Sequence, residues 1–388
     1  MIPHRAVSER SDVAMFHVMD VLRMAAERQV SHGDAISLAT GQPSAPAPQA
    51  VLAAARAALD GQSLGYTESM GIAPLRDTIA QYYQDTYSLS VDPNSIAVTT
   101  GSSGAFTLIF LAAFDAGDSV VLARPGYPAY RNTLAALGCR VIEIDCGPAT
   151  RYQPTVAMLE ALDEPPSGLI VASPANPTGT ILAPEELAEL ARWCDANGTL
   201  LISDEIYHGI SFGRPTACSR QFSASSVVMG SVSKYFAMTG WRLGWMVLPE
   251  ELVRPVERLT ANMTICPPAI SQHAAIAAFS APALAELNEH VAEYARNRQL
   301  MLDGLRSLGV TEMAPPDGAF YVYADIGHLT TDSISWCADV LAKTGVAIAP
   351  GVDFDSVSGG RMARFSFAGA GSDIEAAIER LRPVFTRS

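Results

Sequence analysis

A lysine at the carboxyl end of a core strand is placed for covalent chemistry, and Lys234 has that placement. It closes Ser231-Val-Ser-Lys234, directly after the apolar run Ser226-Val-Val-Met-Gly230. Burial disfavours the charged ammonium, and a neutral amine is a nucleophile that forms a Schiff base with an aldehyde. Arg242 follows within Gly240-Trp-Arg242-Leu-Gly244, where flanking glycines suit an approaching anion. The competing reading is a surface lysine that opens a helix. The apolar strand before it and the glycine-flanked arginine after it argue against that.

Other short apolar runs rich in β-branched residues end in unusual polar residues too. Ile96-Ala-Val-Thr99 leads into Thr100-Gly101-Ser102-Ser103-Gly104, which opens a helix from Ala105 to Phe114. Free N–H groups and hydroxyls there make either a phosphate site or an ordinary Ser/Gly cap. Ser119-Val-Val-Leu-Ala123 leads into Arg124-Pro-Gly-Tyr127-Pro, where Tyr127 either stacks on a flat ring or fills a turn. Gly168-Leu-Ile-Val-Ala172 leads into Ser173-Pro-Ala-Asn176-Pro-Thr-Gly179. This is turn chemistry, in which Asn176 can also hydrogen-bond a ligand oxygen. Thr199-Leu-Leu-Ile-Ser203 leads into Asp204-Glu205-Ile206-Tyr207. Asp204 either pairs with a protonated ring nitrogen, with Tyr207 on a phenolate oxygen, or caps the next helix. Taken singly these signals are weak. One ligand accounts for all of them: it carries an aldehyde, a pyridine nitrogen, a phenolate, a flat ring and a phosphate. That ligand is pyridoxal phosphate.

The elements that must hold these residues alternate along the chain. Helical patterns lie between the apolar runs, the clearest from Pro184 to Asn197. There Leu187, Leu190, Ala191 and Cys194 recur at helical spacing, proline sits in the first turn and Gly198 follows as a stop. Such alternation predicts a parallel sheet covered on both faces, with ligands bound beyond the carboxyl ends of its strands. After about residue 290 the texture changes. A charged helix from Leu284 to Leu308 leads into Gly318-Ala-Phe-Tyr-Val-Tyr-Ala-Asp325, followed by a helix from Ser333 to Thr344. Val346-Ala-Ile-Ala349 and Met362-Ala-Arg-Phe-Ser-Phe367 then look like strands of a smaller sheet, before a closing helix. The expected fold is α/β: a large domain with a mostly parallel sheet covered by helices, plus a smaller α/β domain. Residues 1–45 form an N-terminal arm and part of the small domain, with a helix around Asp12 to Arg28; 46–290 form the large cofactor-binding domain and 291–388 the small C-terminal domain.

Composition agrees with two domains, since 388 residues exceed what one compact core usually holds. Hydrophobic residues make up 49% and charged residues 17%, which implies a large core and an oligomer interface. A net charge of −14 repels nucleic acid and anionic membranes. The six cysteines (Cys139, Cys146, Cys194, Cys218, Cys266, Cys337) are scattered without metal-site spacing and read as reduced cytosolic thiols. The N-terminus carries His4, Arg5, Glu9, Arg10 and Asp12 and no apolar run of a signal peptide. The longest apolar stretch, Ala105 to Phe114, is well short of the ~20 residues that span a bilayer. A cytoplasmic protein without nucleic-acid or membrane partners is expected.

On these residues the chain resembles the class I/II aminotransferases of pyridoxal phosphate fold type I. The resemblance covers nearly the whole chain. It includes Leu38-Ala-Thr-Gly41-Gln-Pro, Tyr66-Thr-Glu-Ser-Met-Gly71-Ile-Ala-Pro-Leu-Arg76 and Arg364-Phe-Ser-Phe, and the intervals from Asn176 to Asp204 to Tyr207 and from Lys234 to Arg242. It implies that Lys234 is the Schiff-base lysine and proton shuttle, and that Asp204 pairs with the ring nitrogen. Asn176 and Tyr207 would bond the phenolate oxygen and Tyr127 would stack on the ring. Ser102, Ser103, Gly104, Ser231 and Arg242 would hold the phosphate, joined by Tyr66 reaching over from the second subunit of a homodimer. Arg364, helped by the Gly41 backbone, would grip the substrate α-carboxylate as a bidentate fork. The implied reaction is transfer of an L-amino acid's α-amino group to a 2-oxo acid, 2-oxoglutarate or pyruvate, by a ping-pong mechanism.

The donor is less legible. Aspartate-specific relatives need a second cation, and some of them carry a lysine where this chain has Ser103. No second arginine stands in the motifs, whereas Ala14-Met15-Phe16-His17-Val18-Met19 and Tyr321 to Tyr323 could line an apolar pocket. A neutral donor (alanine, branched-chain or aromatic) is therefore favoured over aspartate, with His17 read as structural. A β-lyase on the same fold is the alternative chemistry. A penicillin-recognising serine hydrolase is a remote one: Ser231-Val-Ser-Lys234, Lys343-Thr-Gly345 and Ser203-Asp-Glu205 approach its motifs, in the wrong order. An aminotransferase-like sensor of a transcription regulator would need a DNA-binding module, which the acidic N-terminal residues do not supply.

Overall fold

The computed structural model describes residues 7–61 and 63–385. His4 and Arg5, noted above in the polar N-terminus, lie outside them. A seven-stranded sheet forms the centre of the chain. Its strands are β1 (Ile96–Thr99), β2 (Ser119–Arg124), β3 (Arg140–Asp145), β4 (Gly168–Ala172), β5 (Leu200–Asp204), β6 (Val227–Ser231) and β7 (Gly244–Val247). They lie in the order β1-β7-β6-β5-β4-β2-β3. β2 to β6 pair in parallel, while β7 runs antiparallel to both β1 and β6.

Neighbouring residues on these strands enter different cores, as a sheet covered on both faces requires. Leu122, Ile170 and Ile202 pack on one face with Phe106, Ile109 and Phe110. Val121, Leu169 and Leu201 pack on the other with Leu187, Leu190, Ala191 and Cys194. Those last four lie on the helix Pro184–Asn197, whose bounds match the expected ones. Proline stands in its first turn, and Gly198 closes it at φ +67°, a left-handed conformation that a Cβ disfavours.

Two strands of the seven-stranded sheet escaped the sequence reading. β3 is an edge strand that begins and ends on exposed charged residues, so its apolar signal is thin. β7 starts at Gly244, inside a segment read as an anion-binding loop, and its reversal makes the sheet mostly rather than wholly parallel. The run from Val346 to Ala349 is also not one strand. Val346–Ala347 pairs in parallel with Ile36–Ser37, whereas Ala349–Pro350 turns to pair antiparallel with Ala363 and Arg364.

A three-stranded antiparallel sheet carries the C-terminal chemistry. It consists of β8 (Tyr321–Asp325), β9 (Ala349–Pro350) and β10 (Met362–Ser366), with β10 in the middle. The N-terminal segment is stitched to it: the Ser366 N–H donates to the Leu38 carbonyl at 2.7 Å, and the Leu38 N–H to the Ala347 carbonyl at 2.9 Å. Helix α1 (His17–His32) begins later than expected. The Asp353 carboxylate decides where, since it accepts the His17 and Val18 N–H groups at 2.9 and 2.8 Å and satisfies donors a helix start leaves open. No helix among the described residues is long and apolar enough to cross a membrane.

Candidate active site

Strand register brings the polar residues to one edge. Thr99 pairs with Gly244, which pairs with Ser231, and Ala172 pairs with Asp204. Beyond that edge opens a cavity of about 590 Å³. Ser102 and Ser103 line it from the start of helix α2 (Gly101–Ala113), Tyr127 and Tyr130 from the start of helix α3 (Pro128–Leu137). Asn176, Asp204, Tyr207, Lys234 and Arg242 line it from the following loops. Gly41, Tyr321 and Arg364 close it from the side of the smaller sheet.

The Lys234 amine donates to the Gly41 carbonyl at 2.6 Å. Burial first, then the Arg364 guanidinium, pushes its pKa down to about 8, with Asp204 opposing. Lys234 and Lys343 are the two lysines of the chain, so amine labelling resolves the site cleanly. The protonated form of Lys234 is the unreactive one, so the acylation rate of Lys234 in cofactor-free protein should rise with pH and level off above about pH 8. An unperturbed lysine levels off near pH ~10.4; mass spectrometry of labelled peptides across pH checks this. A Lys234 profile that still climbs past pH ~9 removes the proposed depression.

Asp204 ends β5 at 2% exposure. Burial pushes its pKa up to about 6, offset chiefly by a hydrogen bond from the Tyr130 hydroxyl to Oδ2 and by the Ile206 N–H on Oδ1. Tyr130 was missed by the sequence reading. Its signal was available in Tyr127-Pro-Ala-Tyr130, since residues three apart on a helix share a face. Next to Asp204, the Tyr207 hydroxyl lies 2.7 Å from that of Tyr321.

At the other end of the cavity Arg242 lies over the start of α2. Gly101 has φ +69°, and a Cβ there would lie 2.5 Å from Arg242 Nη2, so only glycine lets the guanidinium sit against this helix start. Ser231 and Gly104 stand back from the cavity. The Ser231 hydroxyl donates to the Leu243 carbonyl at 3.3 Å and accepts the Ser233 N–H at 3.0 Å, leaving Ser233 on the lining instead. Gly104 borders a separate small cavity behind α2. Tyr66 is 83% exposed and lies outside the cavity of its own chain.

Arg364 is 2% exposed and sandwiched between aromatic rings, its Cζ 4.3 Å from the Tyr321 centroid and 4.7 Å from that of Phe354. Nη1 donates to Asn176 Oδ1 at 2.8 Å and Nη2 to the Ala39 carbonyl at 2.7 Å. Nε has no partner among the described residues, although a buried polar group normally has one. Phe16, Val18, Met19 and Leu22 complete the lining from the start of α1. His17 is absent from that lining, and its backbone is the part held by Asp353. Asp353→Ala should therefore loosen this wall at a cost of about 1–2 kcal/mol. Hydrogen exchange should rise in the first turns of α1, and KM for amino acids should rise with kcat little changed. Unchanged exchange there would separate α1 from Asp353.

Comparison with known proteins gives this geometry a family. The model for aminotransferase class I and II matches residues 33–381. The chain belongs to the class I and II aminotransferases. It is 56% identical over 377 residues to the valine–pyruvate aminotransferase of Mycobacterium tuberculosis, covering 97% of each chain. A crystal structure of an aminotransferase from the same organism superposes with a TM-score of 0.96 at 55% identity, covering 98% of both chains. Aspartate aminotransferase from Thermus thermophilus with maleate superposes at 0.93 with 30% identity, over 98% of this chain and all (100%) of that one. Aminotransferases of this family use pyridoxal phosphate, and the residues fit it. An amine, a buried carboxylate, a helix start faced by a guanidinium and a second arginine, Arg364, share one cavity. The hydrolase motifs come apart in space: Lys343 is an exposed residue paired with Asp339 at 3.3 Å and does not line this aminotransferase's cavity.

Proposed function

We propose that this aminotransferase takes the amino group from a neutral aliphatic L-amino acid such as valine and delivers it to pyruvate. The observation that carries the reading is the chemistry of the lining: Phe16, Val18, Met19 and Leu22 form an apolar wall, and the cations among the described lining residues are Lys234, Arg242 and Arg364. With Lys234 assigned to the aldehyde and Arg242 to the phosphate, Arg364 serves the α-carboxylate and no cation of the described lining is left for a side-chain carboxylate. The Mycobacterium tuberculosis relative named for valine and pyruvate agrees with this.

Pyridoxal phosphate, when bound, supplies the sink for the electron pair left as the Cα–H bond breaks. The chain's residues do the rest. Lys234, in its neutral form, takes the Cα proton and returns it. Asp204 keeps the ring nitrogen protonated. Asn176 accepts from Arg364 through Oδ1, so its amide N–H groups are the ones free for the phenolate oxygen, beside the Tyr207 hydroxyl. Tyr127 covers the ring. Ser102, Ser103 and Arg242 would hold the phosphate through hydroxyls, backbone and guanidinium, while Ser231 and Gly104 stand behind them. Arg364 orients the substrate, with Gly41 beside it. A homodimer belongs to the same reading. Tyr66 is exposed and precedes Thr67, whose N–H meets Cys266, and nearby Pro268 lines an open groove of about 730 Å³ that reaches Arg242. We also propose domains at 1–45, 46–290 and 291–388, supported by the separate seven-stranded and three-stranded sheets.

The test is an absorption spectrum of purified protein before and after single L-amino acids. A yellow band that collapses with valine, leucine or alanine but persists with aspartate is the expected result. Collapse with aspartate alone would overturn the neutral-donor reading.

A further inference from the structure

We propose that Tyr321 is a positioning residue that aims the Tyr207 proton into the cavity while bracing Arg364. The inference rests on the assignment of Tyr207 to the cofactor's phenolate oxygen. Tyr321 is 1% exposed at the start of β8. Its hydroxyl lies 2.7 Å from that of Tyr207. Its ring face lies against the Arg364 guanidinium at 4.3 Å, and it meets the Tyr207 ring edge-on at 5.8 Å and 78°. Gly41 hems in the hydroxyl so closely that a Cβ there would sit 2.5 Å from Tyr321 Oη.

Each phenol has one proton, and only one of the two can lie along their mutual bond. When Tyr321 donates to Tyr207, the Tyr207 proton is released for the cavity, where Lys234 and Asp204 also stand. A hydroxyl that accepts a hydrogen bond is polarised into a better donor. Tyr321 thereby sharpens the donation of Tyr207 to the cofactor oxygen. The charged and titratable groups around this pair are Asp204 after β5, Lys234 after β6, Arg242 before β7, Arg364 on β10, and Tyr127 and Tyr130 at α3. None of them except Tyr321 is hydrogen-bonded to the Tyr207 hydroxyl among the described residues.

The experiment is a pH titration of the visible band of the bound cofactor in the wild-type holoenzyme, Tyr321→Phe, Tyr207→Phe and the double variant. Donation to the phenolate oxygen favours the deprotonated Schiff-base nitrogen, so weaker donation raises the midpoint. Tyr207→Phe should raise it. Tyr321→Phe should raise it by roughly a tenth to a third as much, and the double variant should match Tyr207→Phe, because without Tyr207 there is nothing for Tyr321 to aim. The Phe ring still covers Arg364, so KM for amino acids should stay within about twofold while kcat falls about 2- to 10-fold. An unmoved midpoint in Tyr321→Phe, or additive shifts in the double variant, would overturn the tie while leaving the Tyr207 assignment intact. An unmoved midpoint in Tyr207→Phe would overturn that assignment and the tie with it.

Discussion

Lys234→Ala should leave a folded protein whose turnover of amino acids is lower by about 10⁴-fold or more, the upper range for losing a positioned acid–base group that is also the nucleophile. Lys234 is only partly buried, and among the described residues its amine bonds only the Gly41 carbonyl, so little folding energy depends on its side chain. No neighbour can substitute. Arg242 and Arg364 are the other cations of the described lining, and a guanidinium holds its proton too tightly to act as base or nucleophile. The remaining lysine, Lys343, is engaged by Asp339 on the surface. Borohydride should fix the cofactor to the wild-type chain at Lys234 and to no residue of the variant, as read by peptide mass spectrometry. Full turnover in Lys234→Ala would end the Schiff-base assignment.

Arg364→Lys should raise KM for amino acid and oxo acid alike, with kcat/KM lower by about 10²- to 10⁴-fold, as expected for losing two charge-assisted hydrogen bonds. The physical reason is shape. The guanidinium is a plane held between Tyr321 and Phe354, with two nitrogens spent on Asn176 and Ala39 and Nε unpartnered among the described residues. A lysine ammonium in that slot can neither stack nor fork, and burial favours loss of its proton. Asn176 would also lose the partner that orients its amide. Both half-reactions are to be measured, because the same grip serves both substrates. An unchanged KM in either would move the carboxylate site away from Arg364.

Much of this site is written locally. Lys234, Asp204, Asn176, Tyr127 and Ser102 each follow an apolar run within a few residues, and a parallel sheet necessarily delivers such positions to one edge. Helix Pro184–Asn197 was legible to the residue because proline, apolar spacing and Gly198 are all local. β7 was not: its direction is set by pairing with β1 and β6, and neither partner is visible from Gly244-Trp-Met-Val247. Ser231 shows the same limit. The motif names it, but its hydroxyl turns to the Leu243 carbonyl and leaves Ser233 on the cavity.

The sequence by itself determined the chemistry on offer, an amine, a carboxylate, hydroxyls and guanidiniums at strand ends, and the α/β class that gathers them. Only the tertiary structure decided which distant residues complete them. Tyr130 reaches Asp204 from another strand's helix, and Asp353 starts α1 across 335 residues of chain. Tyr321 and Phe354 enclose Arg364 through the pairing of β8 with β10 and the turn after β9. Such contacts follow from packing and hydrogen-bond satisfaction between segments far apart in the chain.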